Sequence, residues 1–154
     1  MQALPINPLH YGSEHLTADI IEKYLYFGVD LHTSITTLVL IENTLGGQII
    51  PLEEIKKIKA LCDKHKARVH VDGARIWNAC IETGITLEEY SSYFDSISLC
   101  FSKGLGAPIG SVLLGNTKLI QLAKQYRKSF GGGWRQAGML AAACLYALDN
   151  NWKR

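Results

Sequence analysis

The stretch PLEEIKKIKALCDKHKARVHVD, Pro51 to Asp72, reads as a helix running straight into a strand. Proline suits the first turn of a helix, where its missing N–H leaves no bond unmade. Glu53 and Glu54 fall in the positively polarised first turn, and Lys64, His65 and Lys66 fall in the negative last turn. Leu52, Ile55, Ile58, Leu61 and Cys62 recur at helical spacing, so one stripe faces a core. Arg68 to Asp72 follows as a short strand, with Val69 and Val71 on one face and His70 on the other.

Upstream, Thr36 to Ile41 is a continuous β-branched and leucine run, the pattern of a strand buried on both faces. Strand, helix and strand make a βαβ unit. Residues 1–15, with Pro5, Pro8, Gly12 and Ser13, read as loop. Thr17 is placed to cap a short helix reaching about Tyr26. Downstream, Thr86-Leu87-Glu88-Glu89 has capping-box spacing and starts another short helix. Ser96 to Phe101 is a strand, Ser102 to Pro108 a tight glycine loop, and Ile109 to Leu114 a further strand. Asn116 or Thr117 caps a helix to about Lys128, Gly131-Gly132-Gly133 breaks it, and Gln136 to Asn150 is a last apolar helix. The fold class is therefore α/β, a mostly parallel sheet with flanking helices. The short loop between the last two strands predicts that they pair antiparallel.

Composition narrows the function. The chain has 154 residues, 47% hydrophobic and 19% charged, and a net charge of +2. A chain of this size buries roughly 70% of the surface its unfolded form exposes. The near balance of charge argues against nucleic acid as a partner. Its apolar runs are too short for a membrane span, which needs roughly 18 such residues. Cys62, Cys80, Cys100 and Cys144 lie far apart without a CxxC pair, so neither a metal site nor a disulfide framework is expected. They read as buried thiols of a reducing compartment, and with no signal peptide visible a cytoplasmic location is expected.

Six residues attract chemical attention. Asp72 ends a buried strand just before Gly73, and ligands of open α/β sheets bind beyond the carboxyl ends of strands. A carboxylate there suits a protonated heterocyclic nitrogen, and equally suits a turn that bonds its own backbone. Arg75 carries a planar fork matched to a carboxylate or phosphate, and reads equally as a salt bridge to Asp72 or a surface charge. Lys103 follows an apolar strand and precedes Gly104-Leu105-Gly106-Ala107-Pro108. A partly desolvated lysine can lose its proton and attack a carbonyl, whereas a lone loop lysine is usually solvated. The loop has neither P-loop nor GxGxxG spacing. His70 reads as an orienting neighbour of Asp72 or as a satisfied core histidine. Lys128 and Arg135 flank the triple glycine, where bare N–H groups and cations attract anions, or where a flexible turn is simply solvated.

Taken in order, four strings resemble the threonine aldolase family of fold-type-I pyridoxal-phosphate enzymes. They are Ile41-Glu42-Asn43-Thr44, His70-Val71-Asp72-Gly73-Ala74-Arg75-Ile76-Trp77-Asn78-Ala79, Ser102 to Ser111, and Gly131 to Gly138. The resemblance runs from about Leu31 to the end and implies pyridoxal 5'-phosphate as cofactor. By it, Lys103 looks like the Schiff-base lysine and Asp72 like the partner of the pyridinium nitrogen. Arg75 looks like a contact to the cofactor's phenolic oxygen or the substrate carboxylate. Lys128 and Arg135 resemble basic residues near the cofactor phosphate, reaching across a subunit interface. The implied reaction is retro-aldol cleavage of threonine or allo-threonine to glycine and acetaldehyde. An amino-acid substrate and a homo-oligomer are the implied partners, without nucleic acid or membrane.

The sequence also departs from the family. Leu45 stands where some members carry a histidine. Members are longer, in keeping with a two-part enzyme. Residues 1–154 are thus expected to form an incomplete cofactor-binding large domain. The glycine-threonine phosphate loop, the histidine stacked on the ring and the substrate-binding arginine have no counterpart. The chain is expected to be weakly active or inactive alone and to aggregate or self-associate. Two other readings stand beside this one: another fold-type-I enzyme, such as a β-eliminating lyase, and a non-catalytic truncated relative.

Overall fold

The structure is a computed structural model and describes residues 3–28 and 31–152. Met1 and Gln2, the start of the stretch expected as loop, and Lys153 and Arg154, the end of the stretch that carries the resemblance, lie outside the described residues. The sheet has four strands in the order β1-β2-β3-β4. These are β1 (Leu38–Glu42), β2 (Arg68–Gly73), β3 (Ser96–Cys100) and β4 (Ser111–Gly115). β1, β2 and β3 run parallel, and β4 returns antiparallel beside β3, as the short connection requires. The helices are α1 (Ala18–Glu22), α2 (Leu52–Lys64), α3 (Ile76–Thr83), α4 (Leu87–Ser91), α5 (Thr117–Ser129) and α6 (Gly138–Asn151).

α2 forms for the reasons its sequence states. Pro51 stands at the N-cap, Glu53 and Glu54 sit in the first turn and Lys64 in the last. Ile55, Ile58 and Cys62 bury one stripe. Glu54 also accepts a 2.7 Å bond from the Ala18 N–H, tying the start of α1 to α2. Thr17, Thr86 and Asn116 cap α1, α4 and α5 through their side-chain oxygens.

One face of the sheet is the core. Val39, Ile41, Val69, Val71, Ile97 and Leu99 alternate inward and join Ile58, Cys62, Ile76 and Tyr90 in one buried cluster. The other face carries Leu38, Leu40, Glu42, His70, Asp72, Ser96 and Ser98, all half-buried or exposed.

Several expectations need correction. β1 begins at Leu38 rather than Thr36 and is buried on one face only, since Leu40 stays 55% exposed. A continuous apolar run does not report how many faces are covered. α1 stops at Glu22, short of Tyr26, and the expected loop over residues 1–15 contains a 3-10 turn at Pro8–Tyr11. α3 was absent from the sequence reading altogether. β4 starts at Ser111 because Gly110 turns the chain at φ 131°. Among the described residues, α5 buries no side chain and α6 buries only Ala147.

Candidate active site

Three parallel strands deliver their carboxyl ends to one edge of the sheet. The Glu42-Asn43-Thr44 turn leaves β1 there, Asp72-Gly73-Ala74-Arg75 leaves β2, and the Lys103 loop leaves β3. This is the edge where α/β sheets bind ligands.

Asp72 is in register with Glu42 on β1 and with Ser98 on β3. Its side chain is exposed, and Oδ1 accepts a 3.0 Å bond from the Ala74 N–H. The turn role read from sequence is thus real, and it leaves Oδ2 without a hydrogen bond among the described residues. Asn43 braces the same strand end. Its N–H donates to the Asp72 carbonyl at 3.0 Å, and its fully buried Oδ1 accepts from the Ile50 N–H at 3.1 Å. The buried Asn43 Nδ2 has no hydrogen-bond partner among the described residues.

His70 lies on the same face as Asp72, half-buried, with Nδ1 2.8 Å from Ser96 Oγ on β3. Burial lowers its pKa, and the nearby Asp72 charge opposes that shift only in part. Cys62 and Cys80 are pushed up to about 11 by burial. All four cysteines are free, Cys100 and Cys144 being only half-buried rather than fully so as expected.

Lys103 is exposed and sits just past β3 in a loop that is closely held. Its carbonyl accepts from the Gly106 N–H at 2.8 Å, and the Ala107 N–H reaches back to the Phe101 carbonyl at 3.0 Å. Gly106 adopts φ 73°, a left-handed conformation that favours glycine. Two helices hold this loop from behind. Trp77 of α3 donates its indole N–H to the Cys100 carbonyl at 3.0 Å. Asn151 of α6 donates to the Leu105 carbonyl at 2.8 Å.

Arg75, at the N-cap of α3, is exposed and forms no ion pair among the described residues, so the expected alternative of a salt bridge to Asp72 is not observed. It borders a cavity of about 780 Å³ together with Thr44, Asn78, Gly104, Leu105 and Trp152. Asp72 instead borders a smaller hollow, about 280 Å³, with Glu42 and Leu45. Asp72, Arg75 and Lys103 therefore share one edge, with Arg75 and Asp72 bordering separate hollows. Lys128 and Arg135 form a different patch, exposed at the connection between α5 and α6. There the Lys128 side chain lies along Gly133, where an added Cβ would meet its Cδ at 2.7 Å. Neither cation bonds to Asp72, Arg75 or Lys103. Sequence reasoning assigned no role to Thr44, Trp77, Asn78 or Asn151. Trp77 and Asn78 stood inside a string that carried the resemblance, whereas Asn151 left no signal.

The sequence profile of the beta-eliminating lyase family matches residues 2–154, and the chain belongs to that family. The low specificity L-threonine aldolase of Saccharomyces cerevisiae is 46% identical over 153 residues, 99% of this chain and 40% of that one. That of Candida albicans is 54% identical over 122 residues, 79% of this chain and 33% of its own. Among solved structures, Leishmania major threonine aldolase superposes with a TM-score of 0.79 at 25% identity, covering 90% of this chain and 42% of that one. The resemblance to threonine aldolases read from the sequence thus holds along most of the chain. The chain spans about 40% of the length of the Saccharomyces cerevisiae relative.

Proposed function

We propose that this chain carries the core of the cofactor site of a pyridoxal-phosphate-dependent lyase that cleaves threonine or allo-threonine to glycine and acetaldehyde. One observation carries the reading: Asp72 and Lys103 leave neighbouring parallel strands at the same carboxyl edge. The donor set fits the cofactor. Among the described residues, Asp72 offers a carboxylate oxygen without a hydrogen bond, Lys103 an amine without an ion pair, and Arg75 a guanidinium without an ion pair beside a cavity. Pyridoxal phosphate, when bound, supplies an electron sink for the charge left at Cα as the Cα–Cβ bond breaks.

The chain's own residues do the rest. Lys103 contributes the amine that condenses with an aldehyde. Asp72 holds a proton on a ring nitrogen, because a carboxylate close by favours the charged form. Arg75 orients a carboxylate through its planar fork. Lys128 and Arg135 balance a phosphate, reached from a second copy of the chain. Exposed Phe130, Trp134, Met139 and Tyr146 support a homo-oligomer. No described helix is long and apolar enough to cross a membrane. The free cysteines suit a cytoplasmic setting and the amino-acid metabolism the reaction implies.

The family's description, beta-eliminating lyase, favours a second reading, β-elimination from an amino acid; tryptophan and tyrosine are the substrates that probe it. The test separates the readings. Purified chain is mixed with pyridoxal phosphate and scanned for a visible band that Lys103→Ala abolishes. Threonine, tryptophan and tyrosine are then offered in turn. Acetaldehyde from threonine supports the proposal, whereas indole or phenol supports the second reading. A band without turnover marks a binding fragment, and no band at all defeats the cofactor assignment.

A further inference from the structure

We propose that Trp77 and Asn151 are positioning residues that fix the Lys103 loop at two points, one on each side of the lysine, and so set where its amine stands. This rests on Lys103 being the amine that takes the cofactor aldehyde. Trp77 bonds the Cys100 carbonyl before the lysine, and Asn151 bonds the Leu105 carbonyl after it, at 3.0 and 2.8 Å. The two donors come from different helices, α3 and α6. They also brace each other, because Trp77 packs edge-on against Trp152, the neighbour of Asn151, with ring centroids 4.6 Å apart. Around the second point the loop turns back on itself, the Gly106 N–H donating to the Lys103 carbonyl. Asn78 closes the third side: a Cβ on Gly104 would stand 3.0 Å from its Oδ1. Lys103 itself remains exposed and, among the described residues, without an ion pair. Its backbone is therefore held firmly while its amine stays accessible, an arrangement that orients a nucleophile without blocking it.

The test uses the full chain and reads attachment rather than turnover. Lys103 condenses with the aldehyde of pyridoxal phosphate, releasing water, and borohydride delivers hydride to the carbon–nitrogen double bond, leaving a stable secondary amine. Peptide mass spectrometry then gives the attachment rate at Lys103 and, as an internal reference, at the exposed Lys124. Asn151→Asp keeps the side-chain shape and removes the N–H donor. Trp77→Phe keeps an aromatic ring and removes the indole N–H. Each is expected to slow attachment at Lys103 about five-fold, the effect of one ordinary hydrogen bond, and to leave Lys124 unchanged. Amide exchange over residues 101–110 should speed up in both variants while exchange in β1 and β2 does not. Unchanged rates and unchanged loop exchange in the folded Asn151→Asp chain would overturn the proposal even with wild-type Lys103 labelled. Equal slowing at Lys103 and Lys124 would also overturn it. Wild-type chain labelled no faster at Lys103 than at Lys124 would defeat both this inference and the cofactor assignment beneath it.

Discussion

Glu42 and Asp72 occupy paired positions at the carboxyl ends of β1 and β2, on the same open face of the sheet. Both border one hollow, and neither forms an ion pair among the described residues. Like charges on neighbouring strands repel, by about 0.2–1 kcal/mol relative to a neutral pair. Glu42→Gln should therefore stabilise the chain by that order, read as a higher urea midpoint at low salt. The gain should shrink as salt is added, because screening already weakens the repulsion at exposed sites. Asp72→Asn should stabilise in the same direction and yet abolish the visible cofactor band, whereas Glu42→Gln keeps it. The juxtaposition then belongs to the site rather than to the fold.

His70 gives the stability a pH dependence. Burial holds its folded pKa below the ordinary value of 6.5. The unfolded chain then binds more protons than the folded one between the two pKa values. Stability is fully present above about 6.5 and falls as pH drops through the folded pKa. His70→Asn keeps a polar partner for Ser96 and removes the titration. Melting temperature plotted against pH should be flatter for the variant below 6.5, with the two curves parallel above it. Equal slopes on the acid side would show that the histidine does not contribute.

The cysteines should separate into two classes. Burial pushes the Cys62 and Cys80 thiols up to about 11, so neither offers thiolate at neutral pH. Cys100 and Cys144 are half-buried, the latter with its Sγ 3.0 Å from the Ile109 carbonyl. A maleimide applied to native chain at neutral pH should label Cys100 and Cys144 well before the other two. Denaturant should bring all of them to similar rates. Early labelling of Cys62 would contradict the packing of α2 against β2.

How much of this was legible beforehand depended on the range of the interaction. α2 and β2 were clear because their signals are local: end charges, a stripe at helical spacing and a strand alternation. The antiparallel return of β4 followed from one short loop. α3 escaped because it starts at Ile76 behind Arg75, whose side chain makes no capping bond, unlike the threonines before the still shorter α1 and α4. Isoleucine and tryptophan at its start are weak helix formers, and its stop signal, Gly84, was the one clear mark. Asp72 and Lys103 stood out through their motifs. The bond from Asn151 to Leu105 spans 46 positions in sequence, and no pattern of neighbours announces a contact of that range. The open face of β1 was misread for a related reason, since the elements that cover or expose a strand lie elsewhere in the chain.

Two glycines of the site should respond differently to a methyl group. A Cβ on Gly73, the residue after Asp72, would stand 3.0 Å from the Ser98 carbonyl oxygen and 3.1 Å from Ile97 Cδ1. That oxygen belongs to β3 and moves only with the strand, and the position is buried. Gly73→Ala should therefore cost about 1–3 kcal/mol, the usual range for overpacking. A Cβ on Gly104 would stand equally close to the Asn78 side chain, at 3.0 Å, yet Asn78 is exposed and its amide can swing outward. Gly104→Ala should cost less, and Asn78→Ala in the same chain should restore most of the loss. Urea unfolding at constant slope measures all four species, and the cycle gives the coupling between positions 78 and 104 directly. A coupling near zero would mean that Asn78 does not hold the lysine loop. A Gly73→Ala chain as stable as wild type would mean that β2 and β3 can part at the carboxyl edge, which would loosen Asp72 from its place at the end of β2.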